Sequence, residues 1–394
     1  MLTLRGPRGP RYNSSLNEVN VIADGAVLIR DGIIAEVGPT RRLENLAGAR
    51  DAIQIDASGR VVMPGFIDSH THLAFPSGSG DDADAARKIR TSSGQRIEAR
   101  ARTFLDAMAR HGTTTVEAKT GSGADEKAEC KLLRVLTALN GDPLDVVSSF
   151  LCRLPHHDAA AVTDWVSSEL LRKIQKRKTA QFADIACNGD PCHLPLYDQY
   201  LHAARCLGFA CKIHADTEQV GEAISLAVRH CVTSIDHLEH ASTADARRIG
   251  EAGLTATLFP ISCFHEGGPQ PPARALIDAG AVVAIATNFD PHHSPTLNMQ
   301  TAIALACIHF GMTIEEAIAG ATINGAHALG RGDNIGSLEP GKVADLVVLN
   351  VPDYHDLRNS LGTNMVHQTI KSGKVIYQEG EVAPRPSSET RVVM

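Results

Sequence analysis

Histidines at positions 70 and 72 close the apolar run Val61-Val62-Met63-Pro64-Gly65-Phe66-Ile67-Asp68-Ser69, and no other arrangement in the chain points as directly to chemistry. Side chains on a strand alternate between faces, so His70 and His72 at a strand tip turn both imidazoles the same way. Two more histidines end later apolar runs, His214 after Cys211-Lys212-Ile213 and His237 after Ser234-Ile235-Asp236. A single histidine after a strand is ordinarily a satisfied core or surface residue. Two independent strand-end histidines joining a His-x-His pair point instead to a metal site, because neutral imidazole suits Zn and Fe. Three such nitrogens and one open position make a Lewis acid that lowers the pKa of a bound water to about 7.

These side chains need a scaffold that brings distant strand ends together. Strand-like runs are Val61–Ile67, Thr114–Ala118, Val146–Leu151, Phe182–Ala186, Ala210–Ile213, Thr233–Asp236, Thr255–Leu258 and Val282–Ala286. Stretches of helical period, such as Glu126–Leu139 and Thr217–Arg229, lie between most of them. Eight alternating units predict an α/β protein built on a (β/α)8 TIM barrel. A doubly wound open sheet is the weaker alternative, because no Gly-x-Gly-x-x-Gly opens the first unit. In a barrel the catalytic groups belong at the C-terminal strand ends. Those ends carry His70, His72, Lys119, Cys152, Asn188, His214, His237, Pro260 and Asn288, a mostly polar rim on apolar strands. Before and after the barrel the chain alternates in short antiparallel style, with an Asp31-Gly32 hairpin turn at one end and Ala344–Leu349 and Ile370–Tyr377 at the other. The expected organisation is residues 1–60 and 334–394 as two parts of one small β-sandwich, with residues 61–333 as the barrel.

The chain has 394 residues and a net charge of -7, which gives no reason to expect nucleic acid or an anionic membrane as partner. The one dense basic run, Arg172 to Lys178, reads as a solvated helix face. No run of 18 apolar residues exists, and the start of the sequence lacks a secretory apolar region, so a cytoplasmic location is expected. Nine cysteines form no Cys-x-x-Cys pair and fit reduced, packed side chains. The pairs His156-His157 and His292-His293 sit in loops, where adjacent histidines are ordinarily solvated.

At a finer level the chain resembles the imidazolonepropionases, a family of metal-dependent amidohydrolases. The matching pieces are Pro64 to His72, Gly112 to Gly121 with its Thr-Val-Glu-Ala-Lys core, Lys212-Ile213-His214-Ala215-Asp216 and Asp236-His237-Leu238-Glu239. Asn288-Phe289-Asp290-Pro291, Ser294-Pro295-Thr296, Ala321 to Ala326 and Gly336 to Leu346 continue the resemblance. It implies a barrel with a flanking β-sandwich, one divalent metal (Zn or Fe) and hydrolysis of a ring C–N bond in a cyclic amide. The implied reaction is 4-imidazolone-5-propanoate to N-formimidoyl-glutamate, in histidine degradation. The implied ligands are His70, His72 and His214, with His237 beside the bound water, and the family suggests a homodimer.

Several positions depart from the family pattern. The family closes its eighth strand with Thr-Asp, whose Asp is the fourth ligand; here the pair is Thr287-Asn288. An amide oxygen can coordinate a metal, but it carries no charge and accepts no proton from water. Asp290 lies two residues on and is the expected base, with a simple turn role as the alternative. Three residues past His214 stands Thr217, followed by Glu218, where the family has Glu or Gln. The loop after Phe75 is short, and Arg90, Arg153 and Lys119 are the expected substrate-side residues for a cyclic amide with a carboxylate. Two rival functions follow from these departures. One is a degenerate homologue that binds a metal or small molecule without turnover. The other is an amidohydrolase or deaminase of a different cyclic substrate.

Overall fold

Eight parallel strands, neighbours in space as they are in sequence, form the centre of the structure. They are β1 (Phe66–Thr71), β2 (Thr113–Lys119), β3 (Asp145–Arg153), β4 (Phe182–Ala186), β5 (Ala210–His214), β6 (Ser234–Asp236), β7 (Thr255–Leu258) and β8 (Val282–Ile285). The computed structural model describes residues 1–76, 82–121, 125–215, 217–290, 294–359, 361–380 and 392–393. His292 and His293 lie outside the described residues. Each expected strand run overlaps one of these strands, with helices between them, and the fold is the expected barrel.

The helix after β2 owes its place to one apolar face. Glu126–Leu139 buries Leu132, Leu133, Leu136 and Leu139 against the sheet. Its first turn is capped by Asp125, whose carboxylate accepts from the Ala128 amide at 2.8 Å. Each such leucine contributes about 1.5–3 kcal/mol on burial. Among the described residues, no helix is long and apolar enough to cross a membrane. All nine cysteines are free thiols.

The run read as one strand, Val61–Ile67, is two. Val61–Pro64 pairs antiparallel with Leu346–Leu349 in a four-stranded sheet with Val366–Lys371 and Lys374–Gln378, and only Phe66 onward enters the barrel. The chain changes sheets at Gly65, where a Cβ would stand 2.3 Å from Thr114. Proline cannot donate to a ladder and glycine permits the close approach, so the Pro-Gly pair is the break. A second four-stranded sheet joins Gly25–Arg30 and Ile33–Pro39 to Ile53–Gln54 and Val392–Val393.

Closure of the barrel is carried by the seam between β1 and the segment after β8. Thr71 bridges Phe289 in parallel, and the His72 amide donates to the Phe289 carbonyl at 2.8 Å. Beneath them the Asp68 carboxylate accepts from the Thr287 amide at 3.0 Å and from its hydroxyl at 2.5 Å. Burial pushes the Asp68 carboxyl up to about 7 against the pull of these hydrogen bonds. Replacing Asp68 with alanine leaves two buried donors of Thr287 without this acceptor. At about 1–3 kcal/mol per unsatisfied group, the variant is expected to unfold in urea with stability lowered by at least about 2 kcal/mol. A midpoint equal to that of the wild type would remove Asp68 from the seam.

Candidate metal centre and active site

Period-two geometry places chemistry at the barrel's C-terminal mouth. Asp68 and His70 share a face of β1, Glu117 and Lys119 a face of β2, and Lys212 and His214 a face of β5; Ser234 and Asp236 do the same on β6. The last inward residues of β1 and β5 are therefore histidines, and His237 follows β6 directly. Ligand atoms of His70, His214 and His237 lie within 4.8 Å of one another. Ring centroids are 5.1 Å apart for His70 and His214, and 4.1 Å for His214 and His237. The Phe259 ring forms an apolar wall, 4.6 Å from His70 and 4.5 Å from His237. His72 stands at the edge of the group, 5.3 Å from His70 and 6.1 Å from His214 between centroids, and is not one of the three.

A buried ionic network orients the first of these histidines. His70 Nδ1 meets Asp236 Oδ2 at 2.8 Å, and both side chains are fully buried. Burial, together with the nearby Lys119 charge, holds His70 well below the usual imidazole range. A neutral His70 then carries its proton on Nδ1, donates it to Asp236, and turns the lone pair of Nε2 away from the network. Burial alone would raise Asp236, but the Lys119 charge and the His70 hydrogen bond hold it well below the usual carboxylate range. Lys119 reaches Asp184 at 2.6 Å and Glu117 and Asp236 at 3.2 Å each. Burial opposes its charge, yet the three carboxylates raise its pKa. Lys212 Nζ meets Glu117 Oε2 at 2.6 Å, and the Ser149 hydroxyl donates to the same carboxylate.

His70 Nε2, His214 Nδ1 and Asn288 Oδ1 are among the buried polar atoms at the mouth that have no hydrogen-bond partner among the described residues. Orphaned buried polar atoms are rare in native proteins, and here they are two imidazole nitrogens and an amide oxygen on strand-end residues. Burial first, then the crowding of His237 and His70, holds His214 well below the usual range, so its imidazole is neutral and able to ligate. Such a donor set fits a divalent Zn or Fe ion. His237 and Asn288 have left-handed backbones, with φ of 64° and 51°. Strained conformations of this kind persist where surrounding structure fixes them, often at functional sites.

The histidines open into a cavity of about 360 Å³ lined by Phe75, Arg153, Glu239, Ser262, Cys263 and Asp290, among others. Arg153 forms no hydrogen bond or ion pair with any described residue, and its charge is felt at His214. Asp290 lines the cavity while its backbone pairs with Ser294. Two expected substrate-side residues are elsewhere. Lys119 sits within the barrel, 1% exposed, and its ammonium is taken by three carboxylates. Arg90 pairs with Asp125 at a surface depression beside Trp165. Glu218 is exposed and does not line the cavity. Glu239 and Ser262 went unassigned in the sequence, although both line the cavity. Glu239 Oε2 is 3.6 Å from His237 Nδ1; burial pushes its carboxyl up, but His237 brings it below the usual range. Its place two residues after a strand-end histidine was the available signal.

A family model described as "Amidohydrolase family" matches residues 76–377. An imidazolonepropionase of Parabacteroides distasonis is 36% identical, covering 95% of this chain and 96% of the relative. Another from Geobacillus kaustophilus is 35% identical, covering 97% of each. Among solved structures, an adenosine deaminase from Xanthomonas campestris with bound zinc shares the fold. Its TM-score is 0.70 at 19% identity, covering 92% of this chain and 90% of that one. With the fold, the mouth histidines and this likeness over nearly the whole length, the chain belongs to the amidohydrolase family, as an imidazolonepropionase-like member.

Proposed function

We propose that the protein is a metal-dependent hydrolase of a ring C–N bond in a cyclic amide, turning 4-imidazolone-5-propanoate into N-formimidoyl-glutamate. The observation that carries this reading is the set of unpartnered atoms His70 Nε2, His214 Nδ1 and Asn288 Oδ1 at a cavity whose cation, Arg153, has no counterion among the described residues. Family membership supports the coarser statement, a hydrolase of C–N bonds acting on a small molecule. The ligands proposed for one Zn or Fe ion are His70, His72, His214 and Asn288. When bound, such an ion supplies Lewis acidity and lowers the pKa of a coordinated water to about 7.

The chain's own residues then have separable tasks. His237, held by Glu239, donates to the oxyanion that develops as the ring carbonyl is attacked. Asp290 takes the proton of the attacking water and returns it to the ring nitrogen as that nitrogen leaves. Arg153 holds the substrate carboxylate in a charge-assisted hydrogen bond. The Phe259 ring keeps one side of the histidine cluster apolar, which strengthens each polar contact made there. Three carboxylates on the cavity wall (Glu239, Glu266 and Asp290) favour a second reading, a cyclic substrate with ring amino or amidine groups. A panel of cyclic amides and aminated heterocycles separates the two.

His214→Ala is expected to lose both bound metal and at least about 1,000-fold in kcat/KM, since a Lewis acid contributes several kcal/mol to the transition state. Retained turnover would rule out the metal reading. Metal content of His72→Ala and His237→Ala separates ligand from donor: the first is expected to empty the site and the second to leave it filled. Arg153→Gln is expected to raise KM for the carboxylate substrate about 10–100-fold, the equivalent of a charged hydrogen bond. For an analogue lacking the carboxylate the same change should leave KM near the wild-type value. Equal effects on both substrates would place Arg153 outside the recognition of the carboxylate.

A further inference from the structure

The turn that follows His72 presents one side chain and buries its neighbours. Leu73 and Ala74 are fully buried, in one cluster with Ile97 and Ala101 of the helix Gly94–Arg110 that precedes β2. The Phe75 amide donates to the His72 carbonyl at 2.9 Å and closes the turn, while the His72 amide donates to Phe289. Arg100, half-buried on the same helix, fastens the far side: its Nη2 donates to the carbonyls of Ala74 and Phe75, at 3.0 Å each. A guanidinium only donates and a carbonyl only accepts, so the direction of both bonds is fixed. Phe75 is left half-buried by this arrangement, and it lines the histidine cavity. Its ring stands 6.3 Å from that of His72, at 72° to it.

Among the described residues that line the cavity, Phe75 alone carries a benzene ring; imidazoles, carboxylates and Arg153 make up most of the rest. Phe259 is fully buried against His70 and His237 and does not line it. A flat, conjugated ring packed on an aromatic one gains beyond the area it buries, whereas a puckered, saturated ring of the same size does not. A turn fixed at both ends adds to this, because a ring already in place loses little freedom when a ligand arrives. We propose that Phe75 is a specificity-determining residue: its ring is the surface against which a planar, conjugated ring of the substrate packs, and Arg100 is the positioning residue that keeps it there. The proposal rests on the cyclic substrate of the proposed function. It narrows the class to conjugated rings that carry a carboxylate.

The test is the dissociation constant, by titration calorimetry, of two probes with one skeleton and no ring C–N bond to cleave. One is 3-(furan-2-yl)propanoate, with a flat conjugated ring, and the other 3-(oxolan-2-yl)propanoate, with a puckered saturated one. Phe75→Leu is expected to weaken the conjugated probe about 3–10-fold, the usual worth of an aromatic contact, and the saturated probe less than about twofold. Arg100→Met keeps the apolar stem and removes the donors. It is expected to show the same selective loss, and to add nothing to that loss beside Phe75→Leu. A residue that only stabilises the fold would weaken both probes alike or neither. If Arg100→Met does not fold, Arg100→Gln takes its place, since its side chain is too short to reach both carbonyls. Equal weakening of both probes by Phe75→Leu, or no weakening of either, would overturn the role of Phe75 and leave the proposed function standing. So would a wild type that hydrolyses a cyclic amide yet binds neither probe. An unchanged preference in the Arg100 variant would overturn the role of Arg100. A wild type that binds neither probe and hydrolyses no cyclic amide would overturn the proposed function as well.

Discussion

The contact between His70 Nδ1 and Asp236 Oδ2, 2.8 Å long and sealed from water, is the constraint on which the rest of the site depends. A buried carboxylate left alone would take up a proton, and a protonated Asp236 could not fix the tautomer of its neighbour. Lys119 prevents this by standing 3.2 Å from Asp236 while Asp184 and Glu117 share its charge. Removing one member of such a network leaves an uncompensated buried charge, so its parts stand or fall together. The network makes His70 a neutral donor to Asp236 with Nε2 facing the mouth. The same burial that makes it expensive makes that orientation firm.

Above this floor the site is assembled from strand ends that are far apart in sequence. Because alternate residues of a strand share a face, the ionic floor and the histidines over it come from the same strands: Glu117 and Lys119, Lys212 and His214, Ser234 and Asp236. The seam held by Asp68 and Thr287 fixes the backbone on which Asn288 sits, and so joins barrel closure to the geometry of the cavity. Stability and function draw on one set of contacts here. Changes at the seam are felt at the mouth.

The histidines were legible because both signals they leave are local: a period of two within a strand, and a polar residue where an apolar run stops. The barrel was legible because its strands are in spatial order. Pairings between strands leave no such trace. Lys119 ends its strand as a rim residue would, yet Asp184 and Asp236 from two other strands claim its ammonium inside the barrel. Arg90 carries no mark of its pairing with Asp125, 35 residues away. The run from Val61 hid a change of sheet, because both halves are apolar and only Pro64-Gly65 marks the join. Glu239 and Ser262 lie past their strands, where the chain's direction no longer follows from periodicity.

On the proposed metal reading Asp236 positions His70 as a ligand from below, and the most direct test of that role is the metal retained per chain after exhaustive dialysis. Wild type is compared with an Asp236→Asn variant of the same shape. The expected result is about one Zn or Fe ion per wild-type chain and affinity at least about tenfold weaker in the variant, the usual consequence of losing a carboxylate behind a ligating histidine. A variant that holds its metal as tightly as the wild type would contradict it.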